Sequence, residues 1–372
     1  SERVRGRPPV TDPAAVPAAV SQLTEGWLTA ALGCGVEGAR VTSFSFGEGT
    51  DGTSSRRAID VRWNEAGVAA GLPAAVYSKT SPGFVNRVLI GVTGAAAAEA
   101  LFYSRIRPAL ELGAPAGYYG GFDAQTSRSL VLIEDIVRTR QATFGDTATH
   151  VDRAAAESMI DEMARYHGGL WEDPRLTGAW SSLKDAHAWQ QTFNAKTGFD
   201  RGALVGARMA REQVPAALWA RRGELRPAFV RSLEENVRLP ATLLHQDVHP
   251  GNWFRLPDGS MNLYDWQAIA RGNWALDVAY ALSAGLTVED RRAWERELVE
   301  RYLQRLGEAG GAPPPFADAW LAYRQQMFHG FFFWTYTLLV GKVQELQKEE
   351  HVRELIRRTG QAIVDHESLD AI

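Results

Sequence analysis

The chain has 372 residues, 45% of them hydrophobic and 23% charged, with a formal net charge of −4. That length exceeds one hydrophobic core and predicts two domains, and the slightly acidic balance excludes a basic face for nucleic acid. A single cysteine, Cys34, excludes a disulfide framework and a thiolate metal cluster, and fits a reducing cytoplasm.

The first twenty residues lack the apolar core of a secretory signal and read as a lead-in. Residues 14 to 32 place Val16, Val20, Leu23, Leu28 and Leu32 at helical intervals that end at Gly33. The period then changes to two. Phe44 and Phe46 alternate with polar residues, a glycine loop follows, and Ile59, Val61 and Trp63 alternate again. Gly47, Gly49 and Gly52, with Thr53 after them, form G-x-G-x-x-G between two strands. A dinucleotide-binding turn would run into a helix, and RRAIDVRW is no helix start. A loop joining two antiparallel strands over nucleotide phosphates fits better, with an ordinary glycine hairpin as the alternative.

LPAAVYSKTS, residues 72 to 81, predicts a third strand with Lys79 near its end, and residues 94 to 110 predict a helix with Glu99 in an early turn. Leu101, Phe102, Ile106 and Leu110 would form its inward face. A strand lysine and a helix glutamate in that order suit phosphate binding. SRSLVLIEDI, 127 to 136, reads as a buried strand leaving through Glu134, Asp135 and Ile136, where a two-lobed kinase holds adenine through its backbone. From there the pattern is helical. Residues 151 to 171 carry Ala155, Met159, Met163 and His167 at intervals of four, and His167 on that stripe reads as a core histidine. Residues 172 to 235 are amphipathic and helical, with no catalytic pattern.

The densest chemistry lies in LLHQDVHPGNWFRLPDGSMNLYDWQ, 243 to 267. It predicts a loop from His245 to Asn252 and then a hairpin pairing 253–255 with 262–264 around Pro257-Asp258-Gly259. Asp265 follows the second strand, so Asp247, Asn252 and Asp265 can converge. Magnesium takes oxygen ligands, with few from the protein and the rest from phosphates. Asn252 and Asp265 supply such oxygens, which leaves Asp247 to take a proton from an attacking hydroxyl. His245, Asp247 and His249 also spell H-x-D-x-H, a zinc-like alternative that leaves Asn252 and Asp265 unexplained.

His245-Gln-Asp247 with Asn252, followed by Asp265-Trp-Gln and RGNWALDVAYAL with Arg271, Gly272 and Asp277, resembles the aminoglycoside phosphotransferase and choline kinase superfamily. The resemblance covers about residues 40 to 285. LVLIEDI together with Glu99 to Tyr103 is most similar to the ecdysteroid-kinase-like branch and its bacterial relatives. The resemblance implies an α+β, two-lobed protein-kinase-like fold. Its N-lobe, 1–136, would be a small antiparallel sheet with one long helix, and its C-lobe, 137–372, mostly helical. It implies ATP and Mg2+, Asp247 as base, Asn252 and Asp265 as magnesium ligands, and Lys79 paired with Glu99. It also implies the glycine loop over the phosphates, adenine held near Glu134, Asp135 and Ile136, and Asp277 bracing the catalytic loop. Asp277 as a helix N-cap is the other reading. Gln246 stands where glycine is common, and Asp265-Trp266-Gln267 replaces D-F-G.

Between Asp265 and the RGNW run lie too few residues for a peptide-docking segment, so the expected partner is a small hydroxyl-bearing acceptor. Residues 316 to 346 are dense in aromatics, as helix core or as an acceptor pocket. That composition favours a moderately apolar alcohol, sterol-like or natural-product-like, or an amino alcohol, over a polycationic antibiotic. A nucleotide-binding scaffold without turnover is the alternative from another class. The apolar run 331–340 is too short to span a membrane.

Overall fold

The computed structural model describes residues 9–12, 14–51, 55–80, 94–342 and 347–372. The chain forms two compact units, Ser1–Ala142 and Thr143–Ile372.

The first unit is built on a five-stranded antiparallel sheet in the order β1-β2-β3-β5-β4. Its strands are β1 Val41–Asp51, β2 Ser55–Trp63, β3 Ala75–Thr80, β4 Gly117–Asp123 and β5 Arg128–Glu134. Alternation in β2 sends Ile59, Val61 and Trp63 to one face, where they join Val76, Leu130 and Leu132. Trp27, Leu28 and Leu32 of the helix Glu25–Leu32 cover that face. Each such side chain stabilises the fold by about 1.5–3 kcal/mol when fully buried. Thr24 starts this helix by accepting the Trp27 N–H at 3.1 Å, and Gly33 ends it.

The expected glycine loop is mostly strand. Gly47 and Gly49 lie inside β1, where the register with β2 shifts between Phe46 and Gly49. A Cβ at Gly49 would stand 2.5 Å from the Arg56 carbonyl oxygen, so the close pairing of the two strands requires glycine. Gly52 and Thr53 lie outside the described residues.

Strand β4 is absent from the sequence reading, because GYYGGFD is poor in strand formers. Its glycines have a packing reason. The strand lies directly on the backbone of the helical segment before it, where a Cβ at Gly117 would be 2.1 Å from the Tyr103 oxygen and one at Gly120 would be 2.4 Å from the Ala100 oxygen. Gly117→Ala is therefore expected to destabilise the chain by about 3 kcal/mol, since backbone must move. A urea midpoint equal to wild type would contradict that packing.

The helix predicted over 94–110 changes pitch twice. It is α-helical over Ala95–Leu101, widens to a π-helical turn over Phe102–Ile106 and tightens to 3-10 over Arg107–Ala109. The wide turn buries Phe102, Tyr103 and Ile106, whereas Leu101 is only half-buried. Phe102, Ile106 and Leu110 of the expected inward face are thus buried, and Tyr103 takes the place of Leu101 where the π turn adds a residue.

The second unit is mainly helical. Every residue of the helix Ala275–Gly285 is buried, which makes it the centre of this unit. The helices Phe199–Met209 and Phe328–Val340 cross so closely that a Cβ at Gly206 would lie 1.7 Å from the Thr335 oxygen. Phe328, Phe331, Phe332 and Trp334 are core, while Phe333 and Tyr336 are half-buried. Two small sheets frame the loop between them: β7 Thr242–Leu244 pairs with β10 Ala270–Gly272, and β8 Trp253–Arg255 pairs with β9 Met261–Leu263 and with β6 Thr143–Phe144. The hairpin partner begins one residue earlier than predicted, and Tyr264 instead donates its N–H to the Asn252 oxygen. Among the described residues no helix is long and apolar enough to cross a membrane.

Candidate active site

Between β7 and β8 the chain makes no regular ladder, so its backbone groups need other partners. One carboxylate supplies several. Asp277, fully buried, accepts the N–H of His245 at 2.7 Å and that of Gln246 at 2.9 Å. It also accepts the Tyr166 hydroxyl at 2.8 Å, with His167 Nε2 at 3.3 Å. Burial alone would raise the Asp277 carboxyl, yet the bonds from His167 and the loop bring it below the usual range. Asp277 is thus the brace of the loop. The N-cap reading fails, because its helix begins at Ala275 and Asp277 lies inside the first turn.

Gln246 has φ +63°, a left-handed conformation that costs a side-chain-bearing residue about 1 kcal/mol. Besides its N–H bond to Asp277, two bonds hold it there: its amide Nε2 donates to the Ala268 oxygen at 2.7 Å, and its carbonyl accepts from His329 Nε2 at 2.9 Å. The backbone shape explains why glycine suits this position, and the side chain explains how glutamine replaces it. His329 was invisible in the sequence, sitting in an aromatic run that reads as packing. His167 is buried with Nδ1 2.8 Å from the Tyr302 hydroxyl.

Across 242–250, Asp247 alone is not buried. Asn252 Nδ2 donates to its Oδ2 at 2.9 Å and to its backbone oxygen at 2.8 Å. Engaging the amide nitrogen leaves the Asn252 oxygen as the acceptor for a cation. Asp265 follows β9 with φ +62°. An amide oxygen and a carboxylate fit magnesium, which takes few protein ligands beside phosphate. The zinc alternative fares worse. Asp247 N–H donates to His245 Nδ1 at 3.2 Å, and Nε2 faces the Tyr264 oxygen at 3.0 Å, so both ring nitrogens are committed. Among the described residues no group of three His, Cys, Asp or Glu could hold a metal.

In the first unit Lys79 Nζ meets Glu99 Oε1 at 2.8 Å, with both side chains nearly buried. At the end of β5 the Glu134 carboxylate is bound to Arg140, the Thr139 hydroxyl and the Ala116 N–H. Burial raises this carboxyl, and the Arg140 and Thr139 bonds more than offset it. Asp135 caps a short helix, Ile136–Arg140, by accepting the Arg138 N–H, and Ile136 is buried. The side chains of these three residues are therefore occupied within the unit.

Burial pushes His167, His245 and His329 below the ordinary histidine range. They are neutral in the fold and take protons more readily when unfolded, so their contribution is complete above about pH 6.5 and is lost as pH falls below it. The expected loss is up to about 4 kcal/mol per pH unit if all three take a proton on unfolding. Urea midpoints that do not fall between pH 7.5 and 5.5 would contradict it.

A family model described as the phosphotransferase enzyme family matches residues 96–324. No curated protein matches. Among solved structures, a protein of Ralstonia eutropha JMP134 assigned as an aminoglycoside phosphotransferase is 14% identical, with 92% of this chain and 97% of that one covered at a TM-score of 0.52. The choline kinase LicA of Streptococcus pneumoniae is 13% identical, with 87% and 94% covered at 0.46. The macrolide 2'-phosphotransferase MphH of Brachybacterium faecium is 14% identical, with 89% and 96% covered at 0.46. At 14% identity the likeness to the Ralstonia eutropha protein concerns the fold alone.

Proposed function

The chain belongs to the phosphotransferase enzyme family, and from that premise we propose that it transfers the γ-phosphoryl group of ATP to the hydroxyl of a small, moderately apolar alcohol. The observation that carries this reading is Asp247, the one residue of 242–250 that is not buried, fixed by Asn252. A carboxylate so placed accepts the hydroxyl proton as the acceptor oxygen bonds to phosphorus. The bond from phosphorus to the bridging oxygen breaks in the same displacement, and ADP leaves.

Positioning and charge neutralisation supply most of the rate in such a transfer. Asn252 and Asp265 would hold magnesium, which neutralises phosphate charge when bound. In the first unit Lys79, oriented by Glu99, would bind phosphate oxygens. Glu134, Asp135 and Ile136 would serve adenine through their backbone. The half-buried rings of Trp189, Phe193 and Phe333 stack with centroids 5.1 and 6.1 Å apart, and such a wall suits an apolar alcohol better than a polycation.

The test is transfer of label from γ-32P-ATP into a small-metabolite extract freed of protein. Label in a small molecule that depends on the chain and on magnesium supports the reading. ATP binding without transfer to any metabolite favours the scaffold alternative, and label on added protein contradicts a small acceptor.

A further inference from the structure

His249 has no role in the account so far, and its surroundings are specific. The ring is 7% exposed, and the edge of the Trp334 ring packs against it at 5.1 Å and 78°. Its Nδ1 accepts the Gly251 N–H at 3.1 Å, which shapes the turn Pro250–Asn252. The ring lies so near Gly251 that a Cβ there would stand 2.9 Å from His249 Cε1. A neutral imidazole that accepts at Nδ1 carries its proton on Nε2. That Nε2 is 3.6 Å from Asp247 Oδ1, while Asn252 holds Oδ2.

We infer that His249 is a positioning residue whose Nε2–H aligns Asp247, so that each carboxylate oxygen faces a donor from the same loop. The inference rests on Asp247 as the base. The 3.6 Å separation exceeds a hydrogen bond, and such contacts commonly shorten when substrate binds. With both oxygens aligned, the carboxylate enters the reaction in one orientation. The Tyr280 hydroxyl also lies against Asp247, so His249 acts together with it and with Asn252, and its loss would loosen the lone pair that takes the proton.

Two substitutions separate this role from the shaping of the turn. His249→Asn places an oxygen near the Nδ1 position, where it still accepts the Gly251 N–H, but it has nothing at Nε2. His249→Gln places its amide nitrogen near Nε2 and gives up the turn bond. Turnover is read as ADP release from Mg-ATP with water as acceptor, a probe that requires no identified alcohol, beside KM for Mg-ATP and Tm.

His249→Asn is expected to lower kcat about tenfold or more with KM and Tm near wild type, and His249→Gln to recover most of that loss despite a lower Tm. Wild-type kcat in His249→Asn would overturn the inference, as would equal losses in both variants that follow Tm. In 15N histidine NMR of the full chain, the signal removed by His249→Asn is expected to be the Nε2–H tautomer, and an Nδ1–H tautomer would overturn the inference by itself. A wild-type chain that binds Mg-ATP without hydrolysing it excludes only water as acceptor and leaves the phosphotransferase reading to the metabolite-transfer test, and the tautomer then decides the inference, the Nε2–H form supporting it and the Nδ1–H form overturning it.

Discussion

Asp277→Ala is expected to remove about 4 kcal/mol of stability, because it leaves two buried backbone N–H groups without partners at about 1–3 kcal/mol each and deletes the Tyr166 bond besides. Those donors are His245 and Gln246, at the entry of the loop that carries Asp247. A domain is stable by only about 5–15 kcal/mol, so the loss is a large fraction of the whole. Asp277→Asn keeps the shape and one acceptor oxygen and should fall between the two. Urea midpoints rank the three proteins, and an alanine variant as stable as wild type would show that the loop holds its shape without the brace.

The second large effect falls on rate and spares stability. Asp247→Asn preserves volume and an oxygen that can accept the Asn252 amide, but it cannot take a proton near neutral pH. General base catalysis contributes about 10²- to 10⁴-fold, and kcat should fall by that range. Mg-ATP affinity, measured by calorimetry, should stay close to wild type, because Asp247 is assigned to the acceptor and the nucleotide is left to Lys79, Asn252 and Asp265. A parallel loss of nucleotide binding would instead make Asp247 part of the phosphate site.

Much of this was legible in the sequence for a physical reason: alternation and turn chemistry are local. The pairing of 253–255 with the strand after Gly259 followed from Pro257-Asp258-Gly259, with an error of one residue in register. Strand β4 was not legible, because its glycines reflect the backbone of a neighbouring helix rather than strand propensity. The π turn at Phe102–Ile106 was hidden likewise, since one extra residue per turn leaves an ordinary apolar pattern behind. Gln246 could be noticed as a departure from glycine, but its φ of +63° and its tie to His329, 83 residues away, belong to the folded chain. Membership of the broad phosphotransferase family is established by the match over 96–324, whereas the ecdysteroid-kinase-like branch stands only on the residues quoted for it.

The most direct measurement is a mass-spectrometric comparison of one small-metabolite extract incubated with Mg-ATP and either wild-type chain or Asp247→Asn. The account predicts a metabolite that gains one phosphoryl group with wild type and gains almost none with the variant, which would identify the acceptor as well. Equal phosphorylation of that metabolite by both proteins would contradict Asp247 as the base.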